Sequence, residues 1–235
     1  EFDDAYRRQL SQLFKEIFHE IKSVNDQILP DTIILVALNG RHFGPTGVYT
    51  RGQAIAIPMH VLKTTDSEEF RDIMYHEMFH ILSRIHEPLG AELYGLIGFE
   101  ELNAPIVFDS SDQSMILLNP DGLRDNYTIS LELADTVLQV IPVIYSKVDH
   151  YKPEWETFFQ YLDFQLIPIS NHGDHYRAVS IDEAKQLNQM ELMSAYFDRI
   201  TQNTQYIIHP DEILADNFMY LFQSEEIVKD RDNTL

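Results

Sequence analysis

His76, Glu77 and His80 lie within the pentapeptide HEMFH. On an α-helix, side chains four positions apart stand one above the other, so the two imidazoles face the same way. Paired imidazoles suit zinc, and a carboxylate beside the first can take a proton from a water that the metal activates. With 10 His in 235 residues, composition alone produces such a pattern with a chance of about 3 in 100. The bland alternative is a surface helix with two unrelated histidines. The flanking residues argue against it. Thr65-Asp66-Ser67-Glu68-Glu69 is a good helix start, with cap candidates followed by acids at the positive end of the dipole. Phe70, Ile73, Met74, Ile81, Leu82 and Ile85 then recur at helical spacing, and Pro88 closes the segment. His76, Glu77 and His80 lie near that apolar stripe. An uncompensated trio there would be costly, and a bound metal resolves the cost.

A catalytic zinc takes three protein ligands and keeps a fourth position for water. Far downstream, Pro210 reads as the first residue of a helix, with Asp211 and Glu212 in its first turn. Glu212 and Asp216 are four apart and share a face. Glu212 is the candidate third ligand, and Asp216 the candidate acceptor for the second ring nitrogen of His76 or His80. His209 is a rival ligand, although a residue before the helix-starting proline has no helix to hold it. The loop 171–176, which contains His172, Asp174, His175 and Tyr176, is rich in ligand-type side chains but reads first as a solvated turn.

A HExxH helix followed by a distant ExxxD helix resembles the gluzincin branch of the zincin metallopeptidases, the thermolysin-like group. The resemblance covers two short helices. It implies that His76, His80 and Glu212 bind one catalytic zinc, that Glu77 is the general base and that Asp216 orients a ligand. It also implies a zincin-like fold and a peptide or protein substrate. The stretch between His80 and Glu212 is longer than in that family, which makes the intervening block an insertion.

Composition limits the alternatives. The chain has no cysteine, which excludes thiol nucleophiles, disulfides and thiolate metal sites and leaves imidazole and carboxylate as the strong ligands. The net charge of −21 disfavours binding to a nucleic-acid backbone or an anionic membrane. No apolar run is long enough to span a bilayer. The opening Glu-Phe-Asp-Asp fits an exported or periplasmic bacterial protein whose signal has been removed.

The elements that must position these residues are legible in outline. The expected fold is α+β: a mixed sheet with the active-site helix, a strand-rich insertion and a C-terminal helical lobe. The chain reads as a single catalytic domain, with an N-terminal lobe over about 1–100, the insertion over about 101–178 and the helical lobe over about 179–235. A long helix is expected over 2–28, a buried strand over 33–38 and a hairpin around Arg51-Gly52. The strand at 53–59 is expected to edge the cleft and to hold an extended peptide by backbone pairing. Strands follow at 116–118, 127–133, 137–145 and 161–169, with Pro142 and Pro168 marking edges or strand ends. A single helix is expected over 181–201.

The expected function is therefore that of a zinc-dependent hydrolase, most simply a peptidase. A catalytically inactive binding module of the same fold and a non-peptidase amide hydrolase are the alternatives. Candidate donors to the transition-state oxyanion are Tyr206, His209, His175 and Tyr176. Arg84, one turn past His80, reads as one half of a salt bridge, with Asp216 as a possible partner. Substrate preference and oligomeric state are not encoded in any recognisable pattern.

Overall fold

The computed structural model describes residues 4–40, 43–122, 126–155 and 157–223. Helix α1 (Asp4–Val24) buries Leu10, Ile17 and Ile21 on one side. The first two residues expected in it lie outside the described residues. Three strands follow: β1 (Ile34–Leu38), β2 (Tyr49–Arg51) and β3 (Ala54–Pro58). They form a small sheet in the order β1-β3-β2. The β2–β3 hairpin turns at Gly52, whose φ of +59° is the left-handed conformation that glycine adopts without steric cost.

This order corrects the expectation for the strand at 53–59. β3 is parallel to β1 on one side and antiparallel to β2 on the other. Both of its edges are taken, so it has no backbone groups left for a peptide. Parallel pairing between β1 and β3 leaves no local signal in the sequence, which is why it could not be read there.

Helix α2 (Met59–Thr64) leads to the long helix α3 (Ser67–Ile85). Asp66 caps α3, its side chain accepting from the backbone N–H groups of Glu68 and Glu69. Phe70, Met74, Ile81 and Leu82 are buried as the periodicity requires, Ile73 is half-buried, and Ile85 at the end of the helix is exposed. Glu20 of α1 receives both Arg71 and Tyr75, which seats α3 across α1. Pro88 does not merely end α3. It sits in the first turn of α4 (Glu87–Leu96), where a missing N–H costs nothing.

The middle of the chain contains β4 (Phe99–Glu101), β5 (Ile106–Val107), α5 (Ser110–Gln113), β6 (Ile116–Leu117), β7 (Tyr127–Glu132) and β8 (Val137–Ser146). A turn of 3-10 helix (Phe158–Tyr161) then precedes β9 (Leu162–Asn171) and β10 (Tyr176–Ala178). These strands make a seven-stranded sheet in the order β4-β7-β8-β9-β10-β5, with β6 also paired to β8. All pairings are antiparallel except β5 with β10.

Pro142 and Pro168 lie inside the two longest strands and not at their ends. The register explains how the sheet tolerates them. On one edge of β8, the pairing with β7 stops at Val140 and that with β6 starts at Ile144. Pro142 falls in the gap. Pro168 lies one position beyond the β10 pairing, which reaches Ile169. Each proline sits where no neighbouring strand asks for its N–H.

The chain closes with α6 (Ile181–Ala184), α7 (Gln189–Ile200) and α8 (Pro210–Tyr220). Two helices therefore stand where one was expected over 181–201. Ser180 and Glu183 form a capping box on α6, and Asn188 restarts the helix by capping α7. Gln189 holds the break by donating to the Ala184 carbonyl at 2.7 Å.

The architecture is α+β, with helices and two mixed sheets. One apolar core runs from Ile17 of α1 through Met74 and Met78 of α3 and Ile129 and Leu131 of β7 to Leu214 of α8. A second cluster, including Ile141, Val143 and Tyr145 of β8 and Ile167 and Ile169 of β9, fills the opposite face of the large sheet. Among the described residues, no helix is long and apolar enough to cross a membrane.

Candidate metal centre

Helix α8 starts at Pro210 for a local reason. His209 is its cap, and the ring Nδ1 accepts from the Asp211 N–H at 3.0 Å. Gly122 leaves room for that ring: a Cβ there would meet His209 Nε2 at 2.9 Å. The helix then packs against α3 in the opposite sense. Contacts run from His76 with Asp216 and Glu212 to His80 with Glu212 and Asp211, and on to Ser83 with Asp211.

Three atoms converge between the two helices. Glu212 Oε2 stands 3.1 Å from His76 Nε2 and 3.5 Å from His80 Nε2, and the two ring nitrogens are 3.1 Å apart. Ligands at about 2.0–2.1 Å from a tetrahedral zinc are separated by roughly 3.3 Å, so the set matches that ion's geometry. Among the described residues, His76, His80 and Glu212 form the group of three that could hold a metal.

The opposite ring nitrogens are also held. His76 Nδ1 meets Asp216 Oδ1 at 2.8 Å, and His80 Nδ1 meets Asp211 Oδ2 at 2.7 Å. With each carboxylate taking an Nδ1 proton, both Nε2 lone pairs point at the common centre. Asp211 is fully buried and also accepts from Tyr94 Oη at 2.8 Å and Ser83 Oγ at 3.2 Å. Asp216 in turn accepts from Thr204, which also receives the Tyr206 N–H.

The electrostatics ask for positive charge at this point. Burial alone would lower the His76 pKa, but hydrogen bonds to Asp216 and Glu212 raise it to about 10. His80 is likewise raised well above its usual value: burial opposes this, and Glu212 and Asp211 outweigh it. Burial would raise Glu212, yet the His80 and His76 charges hold it well below the usual carboxylate range. Two protonated rings would aim N–H groups at each other across 3.1 Å. A divalent cation meets the same demand with both rings neutral.

Glu77 lies beside this set and is 4% exposed. Its Oε2 is buried without a hydrogen-bond partner. Burial, followed by the nearby charge of Asp121, pushes its carboxyl up to about 8. Glu77 lines a cleft of about 290 Å³ together with His76, Glu212, Asp216, Tyr206 and Phe159. The Tyr206 ring stacks on His76, with centroids 5.7 Å apart and planes at 21°. The charge of Glu212, aided by burial, pushes the Tyr206 phenol well above its ordinary value and keeps its proton in place as a donor.

His76, Glu77, His80, Glu212, Asp216 and Tyr206 are thus brought together. The other three candidates are not. His209 is committed to capping α8 and is not among the residues lining the cleft. Tyr176 is buried in β10, where its hydroxyl joins Asn171 and Asn103. His175 pairs with the neighbouring Asp174 and stacks on His172 at the β9–β10 turn. That turn belongs to the large sheet, away from the α3–α8 seam.

Several contributors had gone unassigned. Asp211 orients His80, with Tyr94 and Ser83 behind it. The segment Asn119-Pro120-Asp121-Gly122 also reaches into the site. Asn119 Nδ2 donates to Glu212 Oε1 at 2.7 Å. Asp121 accepts from the Thr50 backbone at 2.6 Å and from its hydroxyl at 2.7 Å, and pairs with Arg84 at 3.6 Å. Arg84 therefore does not reach Asp216. A larger cleft of about 530 Å³ lies on the far side of Asn119, walled mainly by β6, β8 and residues 208–210. It holds none of the convergent ligand atoms. Compared with family models, curated proteins and solved structures, the chain matches none of them.

Proposed function

We propose that the protein is a zinc-dependent hydrolase, and specifically a metallopeptidase of gluzincin type with a zincin-like core. The observation that carries this reading is the meeting of Glu212 Oε2 with the Nε2 atoms of His76 and His80 at 3.1–3.5 Å, beside an unpartnered Glu77 oxygen. Zinc held by those three residues supplies a Lewis acid that polarises a scissile carbonyl and lowers the pKa of water.

The chain's own groups supply the rest. Glu77 takes a proton from the attacking water and passes it to the leaving nitrogen, which breaks the carbon–nitrogen bond. Its burial beside the three ligands, with one oxygen unpartnered, suits that exchange. Tyr206, stacked over His76, is the donor placed to meet the oxyanion. Asp216 and Asp211 fix the two rings so that their Nε2 atoms stay aimed at the centre. A purely binding module has no use for a buried carboxylate with an unpartnered oxygen at this position, and that disfavours the inactive alternative.

The test is zinc-dependent cleavage of unfolded casein. Zinc-loaded protein should degrade it, a chelator should stop the reaction, and added zinc should restore it. Protein that carries one zinc per chain yet cleaves neither casein nor a broad peptide mixture would overturn the peptidase reading.

A further inference from the structure

Glu212 divides its two carboxylate oxygens between different partners. Oε2 faces the imidazole pair. Oε1 is turned aside and accepts the 2.7 Å hydrogen bond from Asn119 Nδ2. The amide is locked at both ends, because Asn119 Oδ1 accepts from the Asp121 N–H at 3.2 Å. Asp121 is itself fixed by Thr50 of β2 and Arg84 of α3. A neutral amide from the middle of the chain is therefore held rigidly against one oxygen of a carboxylate on α8.

The consequence concerns coordination number. A carboxylate with both oxygens free can grip a cation through both. A catalytic zinc keeps its fourth position for water, and a second oxygen from Glu212 would add a fifth ligand and take the room that a substrate carbonyl needs. We infer that Asn119 is a positioning residue that restricts Glu212 to a single oxygen and so keeps one coordination position open. This rests on the zinc reading above. It explains why the 119–122 turn is tied to both β2 and α3: any play in that loop would release Oε1. It also predicts an unusual pattern, in which losing Asn119 leaves metal binding intact and harms turnover.

The experiment uses the full chain loaded with cobalt(II), whose visible absorption is several-fold stronger in four-coordinate than in five-coordinate sites. Asn119→Leu removes the donor at similar volume. Asn119→Asp replaces it with an acceptor that repels Oε1, which guards against a result due only to misfolding of the leucine variant. Both should retain one cobalt per chain, show the several-fold weaker five-coordinate spectrum, and lose about 10- to 100-fold in kcat on a fluorogenic peptide with KM unchanged. If both variants keep the wild-type spectrum and kcat, the inference is overturned. If wild-type protein takes up no cobalt, the zinc reading falls and this one with it.

Discussion

Glu77→Gln is expected to lower kcat by about 10²- to 10⁴-fold while leaving the zinc content at one per chain. Glutamine has the size of glutamate but cannot accept and return a proton. The metal set is untouched, since Glu77 makes no contact with His76 Nε2, His80 Nε2 or Glu212 Oε2 in the hydrogen-bond and ion-pair network. Stability should not suffer. Without metal, burial and Asp121 push Glu77 up to about 8, so in the metal-free protein the change exchanges one neutral side chain for another of the same size. The metal-free variant should therefore melt no lower than the metal-free wild type. Wild-type turnover in this variant, measured on casein at equal zinc content, would remove Glu77 from the chemistry.

Asp211→Ala should produce the largest loss of stability of any single change in the site. It leaves His80 Nδ1 and Tyr94 Oη as buried donors without their acceptor, while Ser83 Oγ keeps the His80 carbonyl. Each orphaned group costs about 1–3 kcal/mol, and the combined loss is on the order of 3–5 kcal/mol. For a chain of this size that corresponds to a fall in Tm of roughly 10 °C. Zinc affinity should drop about 10- to 100-fold as well, because the His80 ring loses its orienting partner. Asp211→Asn, which retains an acceptor oxygen, should recover part of both losses. An alanine variant that melts at the wild-type temperature would show that this carboxylate is not the anchor described above.

The contrast between Glu212 and Asp211 shows what the sequence could and could not convey. Glu212 and Asp216 were legible because helical spacing alone puts them on one face. Asp211 precedes Glu212 by a single residue, about 100° around the helix, and its direction depends on which neighbour packs there. Only the antiparallel seating of α8 on α3 turns it towards His80. His209 was visible as a ligand-type residue next to the candidate helix, but capping was a competing use for its ring nitrogen.

Longer-range pairings were the least legible. Tyr94, Asn119, Asp121 and Thr50 reach the site from separate elements, and nothing in their local sequence announces it. The internal position of β3 depends on its parallel partner β1, and the internal prolines of β8 and β9 depend on where β7 and β10 stop. By contrast, the start of α3 within 65–69, most of its apolar stripe and the Gly52 hairpin were read directly. Their causes lie within a few residues of one another.

The central claim is that two imidazoles and a distant carboxylate hold one zinc ion. Anomalous diffraction at the zinc edge tests it most directly. A single strong peak is expected at about 2.0–2.1 Å from His76 Nε2, His80 Nε2 and Glu212 Oε2. A zinc-supplemented crystal with no peak between α3 and α8, or with its only peak elsewhere on the chain, would contradict it.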